Sequence, residues 1–413
     1  VIIKNKITHL ILVLSYIGFT SACHGQEENS WLRLADFGGL QRERAVGFSI
    51  GNYGYIATGL DTAEQTKKDL WQYDPELNSW TQMSDFPGIA RKDAIAFTIN
   101  NKGFVGTGFS HDDSEVGTYL NDMWCYSPTS NTWDSIAPYP GGDGLGVSNA
   151  ASFAIAENGY VACGKIGSND YISDLWEYNS IEDVWTIRIP FPGGDRQQLI
   201  AMSLLEKGYV GLGTDHDIHR KDFWMYDPIT GLWESKSDFV GTERALSSSF
   251  TLAPKGYIVF GLDGGYKDEL WEYNPYDDTW RIKAPFPGGG RKNGIAFSIN
   301  NVGYAGIGKE IDGKKRSFYA YHPNLPLSID ENNNSIQNLF PNPADDLITL
   351  QMKNTFHAGK IKIIDINGRL VMDNYISDND HTININGINK GTYFIIMYNS
   401  NEEVIGTQKF NKL

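Results

Sequence analysis

A twelve-residue phrase returns five times along the chain: DLWQYDPELNSW (69–80), DMWCYSPTSNTW (122–133), DLWEYNSIEDVW (174–185), DFWMYDPITGLW (222–233) and ELWEYNPYDDTW (269–280). All eleven tryptophans belong to this system, as five pairs nine residues apart plus Trp31 alone. A sixth copy, SFYAYHP (317–323), opens with Tyr319 in place of Trp and ends before a second Trp, so Trp31 is its missing partner. A period of about 47 to 53 residues restricts the fold to units that bury their apolar faces against copies of themselves.

Each unit also carries G-Y/F-x-x-x-G, as GYIATG (54–59), GFVGTG (103–108), GYVACG (159–164), GYVGLG (208–213), GYIVFG (256–261) and GYAGIG (303–308). Four short β-patterned runs bounded by Gly, Pro, Asn and Asp therefore make up a unit, which is the content of one propeller blade. We label them a (R-x-x-A-x-x-F-x-I), b (G-Y-x-x-x-G), c (D-L-W-x-Y) and d (from the second Trp). The first d run precedes every a run and the last unit stops after c. The expected fold is thus all-β: a six-bladed propeller whose sixth blade, residues 291–322, is completed by residues 30–36, leaving no open sheet edge at the closure. The tryptophans are read as packing between blades, since large aromatics in every unit serve the scaffold.

The glycine-bearing b run followed by Tyr and Trp seven positions apart in every full unit (Tyr73 and Trp80, Tyr126 and Trp133, Tyr178 and Trp185, Tyr226 and Trp233, Tyr273 and Trp280) resembles the kelch family of β-propellers. The first glycine of that family's pair is replaced here by Thr58, Thr107, Cys163, Leu212, Phe260 and Ile307, a divergent pattern that does not carry the family's ligands with it. Two kelch-like classes are catalytic. The galactose-oxidase type needs a Tyr–Cys crosslink and histidine copper ligands, but Cys125, beside Tyr126, lies in a repeated c run without a histidine pair. The sialic-acid-mutarotase type uses channel arginines and carboxylates.

At the N-terminus, Lys4 and Lys6, the apolar run 7–19 and the small residues of TSACHG (20–25) have the layout of a secretory signal peptide over 1–25. The apolar run is too short for a comfortable membrane span. TSAC resembles a loose lipobox that would lipidate Cys23, but Thr20 stands where Leu is usual, which favours ordinary cleavage after Gly25. Two cysteines then remain, Cys125 and Cys163 in different units, expected as buried thiols in preference to a bridge. A net charge of −15 without a basic run argues against a nucleic-acid partner.

After the propeller (26–323), the polar, Asn-rich stretch 324–337 reads as a linker. Residues 338–413 then alternate as a small β-sandwich. The markers FPNPADDLITL (340–350), IIDINGRLV (363–371), INKGTYFI (388–395) and KFNKL (409–413) together resemble the type A C-terminal sorting domain of the type IX secretion system. That resemblance implies a Bacteroidota-type bacterium, the secretion machinery as a partner, and a protein released or held at the outer cell surface after removal of the tail.

Strand order puts the long b–c loops and the d–a loops on one face of the ring, where function is expected. The d–a turn brings an arginine to the start of strand a in five units: Arg42, Arg91, Arg196, Arg244 and Arg291, with Gly144 in register in the third. These either ring the channel mouth and hold a carboxylate or acidic sugar, or pair with Asp69, Asp122, Asp174 and Asp222 at the top of strand c. Repetition favours pairing. Non-repeated candidates are His111 and Asp112 in one b–c loop and Asp215, His216, Asp217 and His219 in another. Neither cluster has the spacing of a closed metal site, and no cofactor is expected. GFSIG (47–51) matches the G-x-S-x-G of serine hydrolases, but Ser49 is in register with Thr98, Ala154, Ser203, Thr251 and Ser298, and a nucleophile is not supplied six times, once as Ala. The sequence therefore points to an exported or cell-surface binding or adhesion propeller recognising a glycan or a protein. A sugar-active enzyme of the mutarotase-like kelch type is the alternative.

Overall fold

The computed structural model describes residues 30–111, 117–168, 170–216, 218–323, 335–353, 359–365, 370–376, 381–398 and 404–413. The signal-peptide segment, Cys23, Asp112, Asp217 and most of the linker lie outside the described residues.

Six four-stranded antiparallel sheets follow one another, built only from strands and turns. In blade 1 the strands are a (Val46–Ile50), b (Tyr53–Ala57), c (Leu70–Asp74) and d (Ser79–Met83), paired in that order. In blade 6 strands a, b and c are Ile295–Ile299, Val302–Gly306 and Phe318–His322, and the outer strand is Ser30–Arg33. Its register, Trp31 opposite Tyr321 and Leu32 opposite Ala320, closes the ring as expected.

Each a strand shows the inside–outside alternation of a half-buried sheet, with Phe48 and Ile50 buried and Ser49 facing the crowded centre. There the side chain at this register ties blades together: Thr98 Oγ1 donates to the Ser49 carbonyl at 2.8 Å, and Ser203 Oγ to the Ala154 carbonyl at 2.6 Å. GFSIG is accordingly a piece of blade. The glycine before each b-strand aromatic has an equally local cause. A Cβ at Gly159 would overlap the Phe97 ring of the preceding blade, and one at Gly103 would overlap Phe48. These aromatics reach across blades because nothing projects from the glycine.

Five of the six outer tryptophans link neighbouring blades by the indole N–H, as where Trp133 donates to the Ser84 carbonyl, Trp185 to Ala137 and Trp31 to Ala284, at 2.9 to 3.0 Å, whereas the Trp80 indole nitrogen is buried without a partner. Tyr126 and Tyr178 fill the space beside them and are buried, with tilted aromatic contacts to Trp133 and Trp185. Cys125 and Cys163 are free buried thiols, so no bridge joins their blades. Burial pushes both thiols up, away from the reactive thiolate.

At the position before the last glycine of each b run the backbone takes a conformation that glycine favours. Thr58, Thr107, Cys163, Leu212, Phe260 and Ile307 all have φ between 47° and 69°. A β-branched residue held there is strained. Every blade thus keeps this turn although the side chain differs from blade to blade.

The tail forms a sandwich of a three-stranded sheet (Ile336–Phe340, Leu347–Met352, Thr382–Asn384) and a four-stranded one (Leu370–Ile376, Gly359–Asp365, Gly391–Tyr398, Val404–Lys412). Ile348, Ile361, Ile363, Ile395 and Phe410 make its core.

Candidate functional site

The b–c and d–a loops meet on one face. The residue after each blade-leading arginine pairs with a b–c loop, as in Lys92 with Phe109, Gln197 with Thr214 and Lys292 with Lys309. The arginines themselves are buried one layer behind this surface. Arg42 donates to both oxygens of Asp69 at 2.6 Å, Arg91 to both oxygens of Asp122 at 2.6 and 2.8 Å, and Arg196 to both of Asp222 at 2.6 and 3.2 Å. Arg244 pairs with Glu269 and Arg291 with Glu310, each at 2.6 Å.

Every one of these guanidiniums lies over the aromatic of its own turn: Arg91 is 4.6 Å from the Phe86 ring centre, and Arg291 is 4.7 Å from that of Phe286. The first Trp of strand c shares the acid, Trp124 Nε1 donating to Asp122 at 2.8 Å. Burial pushes the Asp122 carboxyl up, but the hydrogen bonds and charge of Arg91 outweigh it and leave the group below its ordinary value. The same balance holds at Asp69 with Arg42. The five arginines are thus engaged in intrablade ion pairs, four of them with the acid at the top of strand c and Arg291 with Glu310 of the b–c loop.

Two details of the register differ from expectation. The third-blade residue in the arginine's place is Val147, whose carbonyl receives the Gly108 N–H at 2.7 Å as the Arg91 carbonyl receives that of Gly59. The three-residue insertion in this turn displaces Gly144 from the register assigned to it by counting. Consequently Asp174 is faced by no arginine of its own blade, and Tyr139 fills the volume. A Cβ on Gly141 would meet the Tyr139 hydroxyl where one on Gly88 would meet the Arg91 guanidinium.

The loop candidates lie apart from this layer. His111 is exposed, edge-on to the Phe109 ring. Asp215 accepts from Arg220 at 2.9 Å and lies 2.7 Å from His216 Nδ1. Those hydrogen bonds, from His216 first and then Arg220, hold the Asp215 carboxyl below its ordinary range. His219 ends the same hairpin with Nδ1 buried and unpartnered. Among the described residues no three His, Cys, Asp or Glu side chains converge as metal ligands would.

The residues that do converge lie two positions after the arginines. Arg44, Asp93, Asn149, Gln198, Leu246 and Asn293 have φ between 53° and 61°, a left-handed turn in every blade. Their backbones hand hydrogen bonds around the axis: Asp93 N–H to the Arg44 carbonyl, Asn149 to Asp93, Gln198 to Asn149, Asn293 to Leu246 and Arg44 to Asn293, all at 2.9 to 3.1 Å.

Together they line an axial funnel of about 120 Å³ whose second tier is small except at Leu199: Ala45, Ala94, Ala150, Leu199, Ser247 and Gly294. Within the ring Arg44 donates to Asp93 at 2.8 Å, and the Asp93 charge raises the Arg44 guanidinium above its ordinary value. Sequence reasoning stopped at the repeated arginine. The available signal was the position two further on, where Arg, Asp, Asn, Gln, Leu and Asn succeed one another on an otherwise repeated scaffold.

Fold and face together define an all-β propeller with an axial polar funnel and a C-terminal sandwich. Residues 338–410 match the family described as secretion system C-terminal sorting domain, which marks the protein as exported, to the cell surface or beyond it. Among solved structures, the one described as "Structure of YjhT" is similar over 70% of this chain and 96% of its own, with a TM-score of 0.58 and 15% identity, a likeness in fold. No curated protein matches the chain.

Proposed function

We propose that this is an exported binding propeller whose ligand enters the axial funnel on the b–c/d–a face, and that the ligand is the end of a glycan. The observation that carries this reading is the ring of six register-equivalent residues. All share one costly backbone conformation, yet five different side chains occupy the six places. Backbone strain of this kind persists where the surroundings enforce it and commonly accompanies a functional site.

The amide side chains of Asn149 and Gln198 and the Arg44–Asp93 pair line the funnel and offer the donors and acceptors that sugar hydroxyls require, while Asn293 donates its Nδ2 to Glu43 at 2.9 Å. The volume of the funnel is about 120 Å³. A cleft of that size suits a single terminal group. The kelch likeness agrees with a binding role but names no ligand.

Glycan-array screening of the full chain followed by titration calorimetry tests the reading. Asn149→Ala with Gln198→Ala is expected to lower affinity at least ~10-fold, equivalent to about 1.4 kcal/mol, with folding intact. Unchanged affinity in that double variant refutes the funnel as the site. A sugar-active enzyme is the second reading, favoured by Asp93, the one carboxylate in the funnel lining. It requires Asp93→Asn to abolish turnover of a bound sugar, followed by NMR exchange between anomers, while binding remains.

A further inference from the structure

Blade 6 departs from the other five at two neighbouring places. The residue after the outer Trp is Thr81, Asp134, Thr186, Glu234 and Arg281 in blades 1 to 5, each polar and exposed. In blade 6 it is Leu32. Opposite these residues on strand c stand Gln72, Cys125, Glu177, Met225 and Glu272, whereas Leu32 faces Ala320. Two of the larger residues hydrogen-bond the tyrosine one strand further in: Gln72 Nε2 donates to Tyr55 Oη at 2.6 Å, and Tyr257 Oη donates to Glu272 at 2.6 Å. Ala320 has no polar side-chain atom to offer its own cross-strand tyrosine, Tyr304.

The sorting domain is two-faced in a matching way. On its four-stranded sheet, Ile361, Ile363, Ile395 and Met397 point into the sandwich core. Ile364 and Ile396 lie outside that core, yet they are only 7% and 3% exposed, and they pack with Phe394, Tyr398 and Leu32 of the propeller. Asp365, next to Ile364, lies near enough to Tyr304 that its charge adds to burial in raising the phenol well above its ordinary value. An acid from the tail thus lies within electrostatic reach of Tyr304, in the one blade whose strand c places Ala320 opposite that tyrosine.

We propose that the sorting domain docks by this second face on the strand that closes the propeller, and that it remains held there after the linker is cut. The interface uses Ile364 and Ile396 against Leu32, with Asp365 supplying the polar group that blade 6 lacks. Leu32 and Ala320 are then partners for a specific surface of the same chain. The closing strand is clasped between strand c of blade 6 and the tail, so the tail also guards the closure of the ring.

The test uses the full chain with a protease site inserted between residues 324 and 334. After complete cleavage, size-exclusion chromatography at micromolar concentration is expected to show propeller and tail co-eluting at the mass of one chain. Leu32→Thr places in blade 6 the residue that blades 1 and 3 already carry. It is expected to separate the pieces without changing the tryptophan emission of the propeller, and Ile396→Thr is expected to do the same from the tail's side. Separation of the unsubstituted pieces overturns the proposal. So does co-elution unaffected by either substitution, and so does elution at twice the chain mass, which would assign the face to a second copy.

Discussion

The reading of the repeated arginines as scaffold is most sharply exposed by Arg91. Its side chain is fully buried, its two terminal nitrogens bind both oxygens of Asp122, one of them also reaches the Thr107 carbonyl at 2.9 Å, and the Phe86 ring lies beneath it. Arg91→Met keeps the bulk and removes the charge. Breaking a buried pair by removing one partner costs about 3–5 kcal/mol. Asp122, however, is one-third exposed and can rehydrate, which moves the expectation to the lower end of that range. Loss of the contact with the aromatic adds about 1 kcal/mol.

A destabilisation of about 3–4 kcal/mol is therefore expected, read as a lower denaturation midpoint in urea by tryptophan emission. Blade 3 supplies an internal control. Asp174 stands at the place of Asp122 with Val147 where the arginine would be, so Asp174→Asn is expected to cost less than about 1 kcal/mol, and Asp122→Asn distinctly more. If Arg91→Met leaves the midpoint within about 1 kcal/mol of the parent while abolishing ligand binding, the scaffold argument is wrong and the arginines belong to the site.

Two further outcomes follow from buried groups. His322 lies on strand c of blade 6 opposite Ser30 of the closing strand, and burial pushes its imidazole from 6.5 down to about 4. Between those values the unfolded chain binds a proton that the folded chain refuses, so stability is full above about pH 6.5 and falls as the pH drops toward 4, by about 3 kcal/mol from this group. His322→Phe should flatten that part of the pH–stability curve, and an unchanged curve would remove His322 as its cause. Thr58 and Thr107 combine a left-handed backbone with buried hydroxyls that have no partner. Relief of strain (about 1–2 kcal/mol) and removal of an unsatisfied hydroxyl (about 1–3 kcal/mol) outweigh the backbone entropy and lost methyl, each about 1 kcal/mol. Thr58→Gly and Thr107→Gly are each expected to raise stability by about 1 kcal/mol in a chemical melt, and a lower midpoint would contradict this account.

What the sequence determined by itself was everything that repeats. The nine-residue Trp spacing and the displaced Trp31 place every strand and the ring closure, because each blade needs the same aromatics at the same register to fill the wedge beside its neighbour. They also dispose of Ser49 as a nucleophile, since its equivalents only tie one inner strand to the next. The sorting tail was legible for a related reason: its markers come in order at one end of the chain.

Tertiary structure decided what depends on depth and on convergence. For Arg42 and its counterparts repetition favoured pairing without deciding it, and they fold back under the loops because an acid of strand c, or of the b–c loop at Arg291, and the turn aromatic enclose them. Arg44, Asp93, Asn149, Gln198, Leu246 and Asn293 lie some fifty residues apart and look unrelated along the chain. Closing the ring brings them around one axis. Leu32 likewise passes for an ordinary strand residue until its five counterparts and the tail are seen in place. A period in sequence reports the contacts that every blade makes, whereas the funnel and the clasp are made once, by residues that only the closed ring brings together.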